Sequence, residues 1–160
     1  MTKNKSVIVV GGGAAGLMSA IHSAWSGAEV IIFEKNSRPA RKVLITGKGR
    51  CNVTNNCSIE TVMNNTPTNP KFLYSALNRF SPEDTMSFFE MLGVELKTER
   101  GNRVFPVSDK AKDIADALIS CAESAGCSIY EKNIKSLIIE NNTIKGVKDS
   151  NGVEYFADSV

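Results

Sequence analysis

The run VIVVGGGAAGLMSAIHSAWSGAEVIIFE, from Val7 to Glu34, restricts the folds open to this chain more than any other stretch. A β-branched segment, SVIVV, runs into a cluster of glycines, after which Leu17, Ala20, Ile21 and Ala24 recur at helical spacing. Gly27 ends the helix, and AEVIIFE supplies a second strand that finishes at Glu34. Strand, turn, helix and strand make a β-α-β unit, and a right-handed crossover sets its two strands parallel. Within the turn, Gly11, Gly13 and Gly16 form G-x-G-x-x-G, answered by an acidic residue 18 positions after Gly16. Gly11 permits the tight turn, Gly13 lets backbone approach a pyrophosphate, and Gly16 lets helix and strand pack closely. The helix amino terminus then offers free N–H groups and partial positive charge to phosphates. Glu34 is placed to accept hydrogen bonds from adenosine ribose hydroxyls and to repel a 2′-phosphate, which disfavours an NADP-type adenosine.

The rest of the chain excludes several other functions. With 160 residues, 42% of them apolar, one sizeable core is expected, and a net charge of +2 gives no broad electrostatic footprint for nucleic acid or an acidic membrane. The start, MTKNKSVIVV, has the charged head of a targeting signal, but glycines interrupt its apolar run after four residues. No membrane span is read, so a cytoplasmic protein is expected. Four cysteines are too few for a disulfide scaffold and none shows the two-residue spacing of zinc ribbons; reduced thiols are expected, with Cys121 and Cys127 packing at a helix end. The single histidine, His22, shares the polar side of the first helix with Ser19 and Ser26, so neither a catalytic triad nor a histidine-rich metal site is available.

Residues 35–69 show little periodicity and are expected to be mostly ordered loop. Two helices follow, one capped by Asn69 with Pro70, the other by Ser81 with Pro82, Glu83 and Asp84 and stopped by Gly93. VELKTE and RVFPV read as short extended pieces, and Ser108 or Asp109 starts a helix running to about Ala125. SIYEK is expected to be a third parallel strand; IKSLIIE, TIKGVKD and VEYFA, joined by the turn sequences NN and SNG, form an antiparallel meander.

Lys35, Arg38, Arg41, Lys42, Lys48 and Arg50 are basic, with no acidic residue among 35–50. Because this segment leaves the strand that ends beside the dinucleotide, some of these cations are expected to neutralise phosphates. The cluster has no aromatic interleaving, which argues against nucleic acid. TGKGRCNVTNNC, Thr46 to Cys57, poses a choice between a redox dithiol and a cofactor loop. A thiolate beside Arg50 would be favoured electrostatically, but the intervening NVTNN disfavours the helical turn that would pair Cys51 with Cys57. The loop is the expected reading.

The strings VIVVGGGAAGLMSA, FEKNSRPARKVLITGKGRCNVTN and GNRVFPVSDKAKDIADAL, with the meander after GCSIYEKNIKSL, resemble the BaiN-like, aminoacetone oxidase-like family of FAD-dependent oxidoreductases along the whole chain. The most specific match is G-R-C-N-x-T-N: Gly49, Arg50, Cys51, Asn52, Thr54 and Asn55. The resemblance implies an α/β, Rossmann-like FAD-binding domain of the glutathione reductase-like superfamily over 1–160, with residues 57–107 as a helical and loop insertion. It implies Glu34 at the ribose, with neighbouring Lys35; Gly11 and Gly13 through Ala14, Ala15 and Gly16 at the pyrophosphate; and Lys42 with Gly49, Arg50, Cys51 and Asn52 along pyrophosphate, ribityl chain or flavin. Ile134, at the end of the third parallel strand, would present its backbone to adenine, while Arg41, Asn55 and Arg103 would lie nearby. Family members are far longer, so the chain is expected to be an amino-terminal part truncated before the last parallel strand, lacking the substrate domain.

The expected activity is two-electron chemistry on a small-molecule substrate, with NAD(P)H as a possible electron donor and neither nucleic acid nor membrane as partner. Arg50 or a backbone N–H of its loop would stabilise negative charge on a reduced flavin; the residues do not choose between them, and no catalytic base is assigned. An NAD-dependent oxidoreductase and a non-catalytic dinucleotide-binding module are the alternatives.

Overall fold

The computed structural model describes residues 4–160; the first three residues of the charged start MTKNK lie outside it. The chain runs β1 (Ser6–Val10), α1 (Ala14–Trp25), β2 (Glu29–Glu34), α2 (Arg41–Ile45), a 3-10 turn (Thr46–Gly49), β3 (Thr54–Asn55) and α3 (Ile59–Asn64). A second 3-10 turn (Pro70–Leu73) leads into α4 (Tyr74–Arg79), α5 (Pro82–Met91), β4 (Leu96–Glu99), β5 (Arg103–Pro106) and α6 (Ala111–Ser124). β6 (Ser128–Glu131), β7 (Ile134–Glu140), β8 (Thr143–Asp149) and β9 (Glu154–Phe156) complete it. The chain divides into two compact units, one holding the residues up to Lys42 with Leu118–Val160, the other Val43–Ala117. No described helix is long and apolar enough to cross a membrane.

In the first unit β2 is central, pairing in parallel with β1 from Ser6↔Glu29 to Val10↔Phe33 and with β6 from Ile31↔Ser128 to Glu34↔Glu131. This is the β-α-β unit with its expected third parallel strand. The register puts the carboxyl ends of β1 and β2 side by side, so the glycine turn emerges next to Glu34. α1 buries Leu17, Ala20 and Ile21, the stripe its sequence period foretells, and leaves His22 exposed. The meander β7-β8-β9 is antiparallel. Asn141 and Asn142 both adopt positive φ, 48° and 59°, as a two-residue hairpin of this twist requires. Val147 of the meander joins Ile8 and Phe33 in a buried cluster, with Phe33 and Tyr155 ring centroids 4.7 Å apart. The second hairpin loop is tied by the buried Asp149 carboxylate, which accepts the N–H groups of Asn151 and Val153 and the Tyr155 hydroxyl.

In the second unit β5 is the middle strand, antiparallel to β4 and, over Thr54↔Val104 and Asn55↔Arg103, to β3. Ser81 caps α5 through a complete capping box with Asp84, as its sequence signature requires. Other expectations are corrected. Asn69 sits in the left-handed region with no side-chain cap, and Pro70 opens a 3-10 turn before a six-residue helix. The long helix starts at Ala111, two residues beyond Asp109. Asp109 has φ of 57° and its carboxylate faces basic side chains instead of the helix, while the Ser108 hydroxyl accepts from the Lys110 N–H. Residues 35–69, expected to be mostly ordered loop, contain α2, α3, the first 3-10 turn and the β3 pairing.

Candidate functional site

At the carboxyl end of β1, the Gly11 N–H still donates to the Phe33 carbonyl (2.8 Å), extending the sheet by one rung before the chain turns. The first bond of α1 runs from the Leu17 N–H to the Gly13 carbonyl (2.9 Å), so the N–H groups ahead of it have no partner one turn back in the helix. Gly13, Ala14 and Ala15 are exposed, and a Cβ built on Gly13 would meet nothing within 4 Å. Open space over a helix amino terminus is what an approaching pyrophosphate needs. A Cβ on Gly16 would instead fall 1.9 Å from the Gly11 carbonyl oxygen, so this glycine is required by the fold itself.

Glu34 is only 9% exposed, yet its carboxylate is well satisfied. One oxygen accepts the Gly12 N–H at 2.8 Å; the other accepts the Asn36 N–H at 2.9 Å and the Asn36 side-chain amide. Burial pushes this carboxyl up, but the Asn36 and Gly12 hydrogen bonds and the charge of Lys35 together hold it below its ordinary range. Three of about four lone-pair directions are thus taken within the chain, leaving room for roughly one further donor such as a ribose hydroxyl. Asn36 in turn accepts from the Arg41 guanidinium at 2.7 Å. The turn after β2 folds back over the glycines, for the Ala40 N–H donates to the Gly12 carbonyl at 2.7 Å. Lys35 and Lys42 are exposed. Ile134 opens β7, whereas the third parallel strand ends at Glu131, so its expected placement at that strand's end is corrected.

The second unit carries the G-R-C-N loop. Gly47 (φ 54°, ψ 32°), Lys48 (φ 58°, ψ 41°), Gly49 (φ 83°) and Cys51 (φ 60°) all lie in the left-handed region, closed by bonds from the Cys51 N–H to the Thr46 carbonyl (3.0 Å) and from the Arg50 N–H to the Gly47 carbonyl (3.3 Å). Gly49 and Asn52 are exposed; Cys51 is buried, and burial pushes its thiol up against a weaker opposing pull from the Thr46 hydroxyl. Burial thus favours the thiol form of Cys51, and the Arg50 guanidinium turns to carboxylates. All four cysteines are free thiols, Cys121 and Cys127 buried as packing residues. The Arg50 guanidinium faces two carboxylates, with Nε 2.8 Å from Asp109 and Nη1 3.2 Å from Glu99, and lies 4.1 Å above the Phe105 ring. Asn55 and Arg103 are cross-strand partners in β3 and β5.

Asn36, Glu99 and Asp109 are the participants that sequence reasoning missed. An asparagine two residues beyond a strand-ending glutamate is a readable sign for Asn36. Glu99 and Asp109 lie 49 and 59 residues from Arg50, and no local pattern marks them.

The chain is similar to known proteins in sequence and in fold. The model of the HI0933-like protein Rossmann domain matches residues 5–160. The 3-dehydro-bile acid delta(4,6)-reductase of Clostridium scindens is 36% identical over 112 residues, covering 69% of this chain and 27% of that protein. The ribosomal RNA dihydrouridine synthase of Escherichia coli is 32% identical over 116 residues, 72% of this chain and 28% of that protein. The chain thus aligns with little more than a quarter of either relative's length. In fold it resembles a 3-ketosteroid-delta4-(5alpha)-dehydrogenase of Rhodococcus jostii (TM-score 0.67, 15% identity, 96% of this chain and 44% of that one). Glycine oxidase of Bacillus cereus is a second such neighbour (TM-score 0.54, 16% identity, 98% of this chain and 56% of that one). The Rossmann-like α/β fold, the glycine turn answered by Glu34, and a family match over nearly the whole chain lead to one assignment: this chain belongs to the HI0933-like, BaiN-like family of FAD-dependent oxidoreductases.

Proposed function

We propose that the protein binds FAD and uses it, with NAD(P)H as electron donor, to reduce a carbon–carbon double bond conjugated to a carbonyl group in a small molecule. The observation that carries the cofactor half is the pairing of open space over Gly13 with a hydrogen-bonded Glu34 carboxylate at the end of the adjacent strand. Gly11, Gly13, Ala14, Ala15 and Gly16 are the proposed pyrophosphate contacts, Glu34 the ribose contact, and Ile134 an adenine contact through its backbone. Lys35, Arg41 and Lys42 are proposed to lie along the phosphates, and the backbone of Gly49, Arg50, Cys51 and Asn52 against the flavin half. Bound FAD supplies the two-electron transfer; the residues of this chain bind it, orient it and set the charge around it.

The substrate class rests on chemistry shared by two relatives. One is named for reducing a 3-dehydro-bile acid, the other for making dihydrouridine in ribosomal RNA. An unsaturated 3-oxo steroid and a uracil ring both present a double bond conjugated to a carbonyl, so a single reduction serves both. The test is anaerobic: the flavin absorbance of the purified full-length protein should bleach with NADH or NADPH and recover on adding a conjugated enone. Recovery with an isolated alkene alone, or no retention of flavin, overturns the proposal. Recovery only with uridine-containing RNA would move the substrate from a small molecule to nucleic acid.

A further inference from the structure

The Gly47–Cys51 turn is a conformation that L-residues avoid, because their Cβ atoms crowd the backbone when φ is positive. Lys48 and Cys51 both pay that steric penalty, and such a turn persists only where its surroundings over-determine it. The surroundings here converge on Phe105, which is 3% exposed. A Cβ on Gly47 would stand 3.2 Å from the Phe105 ring and 2.8 Å from the Asn52 nitrogen, so the turn is seated directly against the ring. Over the same ring, at 4.1 Å, lies the guanidinium of Arg50.

That guanidinium is held mainly by carboxylates. Nε and Nη2 donate to Asp109, while Nη1 and Nη2 donate to Glu99, which commits four of its five N–H donors. Lys97 braces the same carboxylates, 2.7 Å from Asp109 and 3.6 Å from Glu99. Within this ion-paired group two cations face two anions, so the charge of Arg50 is met by carboxylates of its own chain; Arg103, 5.8 Å from the same ring, stands outside the pairing. We infer that Arg50 is a positioning residue, not an anion ligand: Glu99 and Asp109 hold it over Phe105, and the four together clamp the left-handed turn whose backbone faces the cofactor. This builds on the reading that the turn contacts FAD.

The experiment compares Glu99→Gln, Asp109→Asn and Arg50→Lys with the unaltered full-length protein. It reads amide hydrogen exchange across residues 46–52 without FAD, FAD affinity, and the visible circular dichroism of bound flavin. Removing one carboxylate charge should speed exchange in the turn by roughly three- to tenfold, weaken FAD binding by a similar factor, and alter the flavin spectrum. Arg50→Lys keeps the charge but loses the planar fork, and should behave like the carboxylate variants. The unaltered protein in about 1 M salt should show the same faster exchange, because these side chains are 30–44% exposed and open to screening; this arm does not depend on any variant folding. If exchange and affinity stay unchanged in Glu99→Gln and Asp109→Asn while Arg50→Lys alone weakens FAD, Arg50 acts on the cofactor directly and the inference fails. Faster exchange with unchanged affinity and spectrum would uphold the clamp and refute the reading that the turn contacts FAD.

Discussion

Glu34 is fixed by the fold at the place proposed for the ribose. Its carboxylate accepts from Gly12 on the glycine turn and from Asn36 beyond its own strand, so it ties the glycine turn to the end of β2. Glutamine keeps the shape but has only one accepting oxygen; its amide would turn N–H toward either Gly12 or Asn36. Because hydrogen bonds to a charged acceptor contribute about 1.5–3 kcal/mol each, Glu34→Gln should destabilise the protein by about that amount at neutral pH. The sign with pH follows from the carboxyl being held below its ordinary value of 4.5 in the folded state. Such a group contributes its full stabilisation above 4.5 and loses it as pH falls through the lower, folded value. Urea denaturation of both proteins should therefore show a gap that is widest at neutral pH and closes under acid. A gap that stays constant would mean that Glu34 acts through shape and not through charge.

At the scale of elements, two glycines three residues apart separate folding from the proposed binding. Gly13 has φ of −77° and ψ of −179°, ordinary extended backbone, and a Cβ there meets nothing within 4 Å. Gly13→Ala should leave stability within about 0.5 kcal/mol while filling the approach of the pyrophosphate, with FAD affinity falling roughly tenfold or more. Gly16→Ala drives its Cβ into the Gly11 carbonyl and forces α1 away from β1, a loss of about 1–3 kcal/mol or more that thermal denaturation would detect without any ligand. Equal melting of the two variants would refute this division. The same contrast explains what the sequence makes legible. The β-α-β unit, the Ser81 capping box and the Asn141–Asn142 hairpin are set by residues within a turn or two of one another, so their patterns can be read directly. α2 and the β3 pairing cannot be read that way: five residues carry too little period to announce a helix, and Thr54–Asn55 becomes a strand only because β5 lies opposite. Asp109 misled as a helix cap because its partners are Lys97 and Arg50, contacts that no window around residue 109 contains.

For the whole molecule, the features proposed to meet FAD fall in both compact units. The glycine turn and Glu34 lie in the unit that joins the residues up to Lys42 with Leu118–Val160, and the Gly49–Asn52 loop lies in the unit Val43–Ala117. ADP contains the adenosine, ribose and pyrophosphate but no flavin, so it tests one set of residues without the other. Ligand that binds only the folded state stabilises by about 2.7 kcal/mol at a hundredfold excess over its dissociation constant, enough to slow exchange wherever it closes the backbone. Saturating ADP should protect the amides of Gly11–Gly16 and leave 47–52 exchanging as in the free protein, whereas FAD at the same fractional saturation should protect both. Failure of FAD, like ADP, to protect 47–52 would place the flavin half away from the G-R-C-N loop, and protection of 47–52 by ADP would assign that loop to the phosphates. Each result relocates a specific part of the cofactor, because the two ligands differ only beyond the pyrophosphate.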